Sequence, residues 1–347
     1  MRRLPIYFLI DVSESMVGEP IEQVQNGIAT IIKELRTDPY ALETVYISII
    51  VFAGKAKEIV HLTELYNFYP PKIPIGGGTS IGTALNFLMD NLDRSIKKTT
   101  LDEKGDWKPI IFLFTDGNPT DRYEYSFDRW NNKYRNSTNL VAVTLGQGTD
   151  TNILKRITDN VLQLKNTDSE SFKAFFKWIT ASIKTSSISV SEMHTDDLKL
   201  APIDEDFLNK IEQEMNQQII DDNYAVMLGK CQNTHRPYLM KYRSNKGSGS
   251  YSEYNINKSY NLVGAYPIDE TYFELSDIYQ TGQTVNTAEL TGFPTCPCCG
   301  NQYGFSVCKC RNIMCVGNEE MSKCPWCNSE AQFGFAEGDS DIGRTRG

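Results

Sequence analysis

Two sets of side chains in this sequence have types and spacings suited to metal ions. The first is built on oxygen: Asp11-x-Ser13-x-Ser15, Thr79 behind the run Gly76-Gly77-Gly78, and Asp116 just before Gly117. Two carboxylates and three hydroxyls make a hard donor set, the kind that suits Mg²⁺ at about 2.1 Å, or Mn²⁺ or Ca²⁺ in its place. Ser13, Ser15 and Thr79 are expected as direct or near-direct ligands, with Asp11 and Asp116 holding bound waters or closing the shell. Two carboxylates neutralise such an ion. Neutral hydroxyls and an exchangeable water leave it electrophilic enough to accept a carboxylate from a protein partner.

The second set is built on sulfur. Of nine cysteines, none falls in the first 230 residues, Cys231 stands alone, and eight lie between Cys296 and Cys327. Cys296-Pro-Cys-Cys299 and Cys324-Pro-Trp-Cys327 each place two thiolates at i and i+3. The spacing predicts that Cys296, Cys299, Cys324 and Cys327 enclose one tetrahedral, structural Zn²⁺. Cys298, Cys308, Cys310 and Cys315 remain, either for a second zinc or as buried free thiols. Swaps in which Cys308 or Cys310 replaces a member of the first set stay open. Cys231-x-x-x-His235 offers two further ligand types but no second pair beside them, and a packing or surface role is expected for His61, His194 and His235.

The oxygen set meets only if the chain brings distant loops to one rim, and its apolar pattern predicts that. Pro5–Ile10 reads as a strand running into the Asp11 loop. Ile21, Val24, Ile28, Ile31, Ile32 and Leu35 recur at helical spacing. Val45–Ala53 reads as a buried strand, with Ala56–Leu62 as its edge neighbour. Ile81 to Ile96 marks a helix, and Ile110–Phe114 a central strand apolar on both sides. Phe127–Tyr134 reads as a helix, Leu140–Leu145 as a strand, Ile153–Ile157 as a short helix and Phe172–Ile183 as a closing helix. This alternation predicts an α/β, three-layer, Rossmann-like domain over residues 1–186, with ligands at the C-terminal ends of parallel strands.

Residues 187–206 read as a linker. A β-rich region, 207–337, follows, with a helix over Phe207–Ile220 and short strands at Tyr224–Leu228, Tyr238–Tyr242, Tyr260–Ala265 and Tyr272–Leu275. Asn245–Ser250 reads as an exposed loop. A small zinc-ribbon-like module occupies 294–335, and 338–347 a frayed tail.

The 347 residues carry 35 Lys+Arg against 44 Asp+Glu, a formal charge of -9, which gives no general attraction to nucleic acid or anionic lipid. The apolar run after Arg2-Arg3 is cut short by Asp11, too early for a secretion signal. The longest apolar runs are strand-sized, so the expectation is a cytoplasmic protein with thiolate-bound metal rather than disulfides.

Asp11-Val12-Ser13-Glu14-Ser15, Thr79 and Phe114-Thr115-Asp116-Gly117 resemble the metal-ion-dependent adhesion site (MIDAS) of von Willebrand factor type A (VWFA) domains over about residues 3–185. That resemblance implies a Mg²⁺-assisted protein-binding module rather than an enzyme. Gly229-Lys230-Cys231, Arg236–Tyr242, Leu262–Tyr266 and the cysteine module resemble the C-terminal metal-binding region of TerY-type tellurium-resistance proteins. This second resemblance implies a bacterial adaptor in a stress or tellurite-resistance-like, phosphorylation-linked system, with a protein kinase or a PP2C-like phosphatase as partner.

Two other classes are weighed against it. A Mg²⁺-dependent hydrolase needs a placed base or activated nucleophile; Ser13 and Ser15 have no histidine in a triad order, and Glu14, Asp121 and Glu124 are only neighbours guessed from sequence. A nucleic-acid-binding zinc ribbon would need a denser basic stripe than Lys309, Arg311, Lys323, Arg344 and Arg346 provide.

Overall fold

A computed structural model describes residues 2–145, 150–164, 169–188, 200–202, 208–210, 224–245, 259–276, 284–318, 321–332 and 339–345. The chain divides into two units: Met1–Val12, Gly18–Pro74 and Thr79–Ile220 in the first, and Ser13–Val17, Ile75–Gly78 and Asp221–Gly347 in the second.

The first unit is a three-layer α/β fold. Its strands are β1 (Leu4–Asp11), β2 (Val45–Phe52), β3 (Ala56–Glu64), β4 (Ile110–Thr115), β5 (Asn139–Leu145), β6 (Asn160–Leu164) and β7 (Leu208–Lys210). They lie in the order β3-β2-β1-β4-β5-β6-β7, parallel from β2 to β6 with an antiparallel strand at each edge. The helices are α1 (Glu19–Leu35), α2 (Pro39–Thr44), α3 (Ile81–Ser95), α4 (Glu124–Lys133), α5 (Thr151–Lys155) and α6 (Ser169–Ile188).

Side-chain alternation along β1 separates the layers. Tyr7 and Leu9 pack with Leu85, Leu88 and Met89 of α3 and with Phe127 and Trp130 of α4. Phe8 points the other way and stacks on Phe112 and Phe114, and Phe114 meets Phe175 and Phe176 of α6. Both faces of the sheet are therefore covered, which explains why β1, β2 and β4 are almost unbroken apolar runs. Local chemistry sets the helix ends. Asp38 caps α2 by accepting from Tyr40 N and Ala41 N, and Asp121 accepts from Gly82 N and Thr83 N in the first turn of α3.

In the second unit β8 (Tyr224–Lys230), β9 (Pro237–Ser244), β10 (Tyr260–Pro267), β12 (Leu290–Thr291), β13 (Tyr303–Val307) and β14 (Ile313–Val316) form a sheet in the order β12-β10-β9-β8-β14-β13. A short helix, α7 (Thr271–Leu275), follows β10. β11 (Thr284–Asn286) pairs with β17 (Asp341–Gly343), and β15 (Ser322–Lys323) with β16 (Glu330–Ala331).

Four expectations are corrected. The helix expected over Phe207–Ile220 has Leu208–Lys210 as strand β7 beside β6; its other residues lie outside those described. Tyr272–Leu275 is helical rather than extended: Tyr272 and Leu275, three positions apart, are buried while Phe273 and Glu274 between them are exposed, a helical rather than an alternating pattern. The last turn of α6 runs to Ile188, into the expected linker, with Ser186 and Ser187 buried. The tail is not frayed where it is described: Ile342 is buried in β17, and Thr345 N donates to Val226 O at 2.9 Å. α2 and β6 have no counterpart among the expected elements, and residues 246–250 and His194 lie outside those described.

Candidate metal centres

Four turns of nearly the same construction dominate the second unit, each opening on a cysteine. In them the N–H of a residue three or four positions on returns to the cysteine carbonyl: His235 to Cys231, Gly300 to Cys296, Arg311 to Cys308 and Asn328 to Cys324, at 2.7–3.0 Å. The cysteine N–H in turn donates to the residue after that, Arg236, Asn301, Asn312 and Ser329 respectively. The residue closing each turn is left-handed, with φ of +57°, +78°, +65° and +60°. Such a knuckle turns the cysteine sulfur and the N–H groups behind it towards one point. Thr234 N approaches Cys231 Sγ at 3.3 Å and Trp326 N approaches Cys324 Sγ at 3.4 Å.

The turns gather eight cysteines into two quartets, Cys231, Cys296, Cys299 and Cys315, and Cys308, Cys310, Cys324 and Cys327. Within each, all four sulfurs lie within 4.8 Å of one another. Closest pairs are Cys299–Cys315 and Cys231–Cys315, both 3.8 Å, Cys308–Cys327 at 3.7 Å and Cys310–Cys324 at 3.9 Å. A disulfide would need about 2.05 Å. The edge of a tetrahedron of thiolates around Zn²⁺, with Zn–S near 2.3 Å, is about 3.8 Å. Donor type, number and spacing therefore fit a closed, four-coordinate zinc in each quartet.

This partition replaces the expected one. Cys296 and Cys299 do not meet Cys324 and Cys327, because β14 lies between them. Its alternation sends Ile313 and Cys315 into the cluster of Cys231 and Cys296, and Met314 and Val316 into the cluster of Cys308 and Cys324. The second expected set is likewise split: Cys308 and Cys310 go to one quartet, Cys315 to the other, and Cys298 to neither. Cys298 Sγ lies 3.9 Å from Pro237 O, and burial pushes its thiol up to about 12. Cys296 is held down near 5, chiefly by its hydrogen bond with Cys315, and Cys327 near 6 by Ser329. Cys308 is shifted down as well, so each quartet holds at least one thiol disposed to ionise, as metal entry requires.

Cys231 is the quartet member that spacing in the sequence does not reveal. Thr234 stands where its knuckle would carry a second cysteine, so the turn has no C-x-x-C signature. Its neighbour His235 gives backbone geometry and is not in the quartet. Trp326 packs beside Cys308 and Cys324, with its indole N–H on Ile313 O at 2.8 Å.

The oxygen set is distributed over both units. In the first, Asp11 ends β1 and accepts from Thr115 Oγ1 at 2.6 Å; Asp11 and Thr115 are both fully buried. Asp116 follows at the end of the adjacent parallel strand, β4. Thr79 is buried; Thr120 Oγ1 accepts from its N–H, and its own hydroxyl lies 3.4 Å from where a Cβ on Gly117 would sit. Asp11, Thr79 and Asp116 thus lie where strands leave the sheet at their C-terminal ends. In the second unit, Ser13 Oγ and Ser15 Oγ are 3.0 Å apart, both buried, around the 3₁₀ turn Glu14–Met16. Asp121, raised as a neighbour of the loop, caps α3 instead, and His61 is an exposed partner of Glu58. Glu14 is in the loop by hydrogen bonding as well as by sequence: its Oε2 accepts from Gly78 N at 2.9 Å.

Residues 6–178 match the family model of the von Willebrand factor type A domain and residues 221–347 that of the TerY-C metal binding domain. A curated relative, the mouse inter alpha-trypsin inhibitor heavy chain 4, is 32% identical over 124 residues, which are 33% of this chain and 12% of the relative. Among solved structures, proximal thread matrix protein 1 of the mussel byssus, described with a zinc-occupied MIDAS motif, is 18% identical at a TM-score of 0.37, over 54% of this chain and 46% of that one. The pilus adhesin SpaC of Lactobacillus rhamnosus GG, in an open conformation, is 13% identical at a TM-score of 0.43, over 54% and 30%. Among the described residues no helix is long and apolar enough to cross a membrane.

Proposed function

Residues 6–178 being a von Willebrand factor type A domain and residues 221–347 a TerY-C metal binding domain, we propose that the protein is a metal-dependent adaptor between other proteins. In this reading Asp11, Ser13, Ser15, Thr79 and Asp116 hold a divalent cation, Mg²⁺ or Mn²⁺ or Ca²⁺. The ion completes its shell with an acidic side chain from a partner. Two Zn²⁺ ions in the cysteine quartets are structural, since four thiolates leave no open position. The paired hydroxyls of Ser13 and Ser15, 3.0 Å apart and buried two residues beyond Asp11, are the observation that carries the cation reading.

The finer context follows the sequence resemblance. We place the adaptor in a cytoplasmic, phosphorylation-linked stress or tellurite-resistance-like system, with a kinase or PP2C-like phosphatase as the partner offering the acid. The role is binding rather than catalysis: the loop groups described above serve as ligands, caps or hydrogen-bond acceptors.

The test is capture of partners by the wild-type chain and by Asp116→Ala, both zinc-loaded, in Mg²⁺ and after exchange into buffer free of divalent cations. Zinc content is measured on each sample, because a strong chelator strips both kinds of site. The expected result is that partners are retained by the wild type in Mg²⁺ and lost in the other three conditions at unchanged zinc content. Equal recovery in all four would end the metal-gated reading.

A further inference from the structure

The loops Ser13–Val17 and Ile75–Gly78 belong to the same compact unit as residues 221–347. Specific contacts tie them into it. Glu14, only 2% exposed, has both carboxylate oxygens engaged: Oε1 accepts from Tyr272 OH at 2.7 Å and Oε2 from Gly78 N at 2.9 Å. Ser276 Oγ accepts from Gly77 N at 2.8 Å. Lys241, 4% exposed, donates from Nζ to Ser15 O at 2.5 Å and to Val17 O at 3.4 Å, with the face of Tyr224 4.4 Å away. Val17 packs among Val226, Leu239, Ile268 and Tyr272.

We propose that Glu14 is a strut between the two cation-site loops, and that Tyr272 and Lys241 are positioning residues for the cation-binding hydroxyls of Ser13 and Ser15. This rests on the cation site proposed above and adds that residues of the same compact unit as the two serines aim their hydroxyls. The chemistry of the contacts supports it. A buried carboxylate is tolerated where hydrogen bonds replace its water, and here the donors come from the glycine loop on one side and from α7 on the other. Glu14 lies between the two serines, so fixing its side chain restricts the backbone that aims both hydroxyls.

The Gly78 N–H it holds belongs to the residue immediately before Thr79. Lys241 fixes the other end of the serine loop through the carbonyls of Ser15 and Val17. Burial and the neighbouring Glu14 carboxylate push the Tyr272 phenol above its ordinary range, so it remains a donor. Gly77 completes the fit: a Cβ there would lie 2.8 Å from Ser276 Oγ and 2.9 Å from Glu14 Oε1. Gly78, at φ +88°, supplies the left-handed turn that leads into Thr79.

The test is titration of the zinc-loaded full chain with Mn²⁺, followed by electron paramagnetic resonance, for wild type, Asp116→Ala, Tyr272→Phe, Glu14→Gln, the Tyr272→Phe/Glu14→Gln double variant and Lys241→Met. Tyr272→Phe is expected to weaken Mn²⁺ binding about tenfold, as loss of a hydrogen bond to a charged group would. The double variant should bind no more weakly than Glu14→Gln alone, because both changes remove one strut. Zinc content and melting temperature identify any variant that has merely unfolded, and Ser276→Ala, expected to lose a few-fold, then serves as the milder substitute. Wild-type Mn²⁺ affinity in folded Tyr272→Phe and Lys241→Met would overturn the inference while leaving the cation site intact. Failure of the wild type to bind Mn²⁺, or undiminished binding by Asp116→Ala, would instead remove the cation site itself, and the strut with it.

Discussion

Cys315 Sγ lies 3.8 Å from Cys231 Sγ across 84 residues of sequence, which makes Cys231 a member of a cysteine quartet suited to a metal ion rather than an isolated thiol. The consequence is a stoichiometry. Elemental analysis is expected to find two zinc ions per chain. Cys231→Ser should lower the count to one, and Cys298→Ser should leave it at two. An unchanged count in Cys231→Ser, or a loss in Cys298→Ser, would refute the partition.

The thiol of Cys298 carries a pH prediction. Burial raises it from 9.0 to about 12, so the folded chain favours the neutral form. The associated stabilisation is full below the ordinary thiol pKa and is lost as pH rises through the folded value. Iodoacetamide, which needs the thiolate, is expected to leave Cys298 unlabelled in the zinc-loaded protein at neutral pH and to label it once the protein is denatured without zinc. Rapid labelling of the folded protein, read by peptide mapping, would contradict the burial argument.

The left-handed residue that closes each knuckle gives a backbone prediction. Asn328, at φ +60°, occupies a conformation that an asparagine tolerates and a β-branched residue does not. Asn328→Val is expected to cost about 1–2 kcal/mol and Asn328→Gly to fall within about 0.5 kcal/mol of wild type. Chemical denaturation of the zinc-loaded protein measures both. Equal stability of the valine and glycine variants would exclude strain at this position.

Legibility in the sequence followed the range of the forces involved. β4 could be read because five consecutive apolar residues have no other home than a sheet covered on both faces, and α1 because its buried isoleucines recur at helical spacing. Asp11, Ser13, Ser15, Thr79 and Asp116 could be listed because loop chemistry sits next to those elements in the chain. The cysteine partition could not. Which knuckle meets which is decided by β14, whose alternating residues face different clusters, and no spacing rule contains that. Tyr272, Lys241 and Ser276 were passed over for a related reason: each lies more than 190 residues from the loop it holds. Tyr272–Leu275 looks like a strand in isolation, and its burial at Tyr272 and Leu275, with Phe273 exposed between them, is what distinguishes it.

In the first unit the anchor of the 96–107 segment is open to test. Arg3 donates from Nε to Asp106 Oδ1 at 2.8 Å and from Nη2 to Oδ2 at 2.5 Å, while Asp106 Oδ2 also accepts from Lys97 N at 2.8 Å. The Asp106 side chain is almost wholly buried. Asp106→Ala removes the carboxylate from the Arg3 guanidinium, which keeps Ser95 O at 2.8 Å, and leaves Lys97 N without this acceptor; it is expected to cost about 2–3 kcal/mol. A melting curve within error of wild type would show that the pair contributes nothing net.

The β13–β14 hairpin also sets an order of assembly. Cys308 and Cys327, 19 positions apart, close their quartet within one short stretch of chain, whereas Cys315 must close a span of 84 positions to reach Cys231. Loop-closure entropy favours the short circuit, so the quartet nearest the C-terminus should capture its ion first and present β14 ready-made. During synthesis, β8 and β9 leave the ribosome before β14, so Cys231 precedes the strand that completes its quartet.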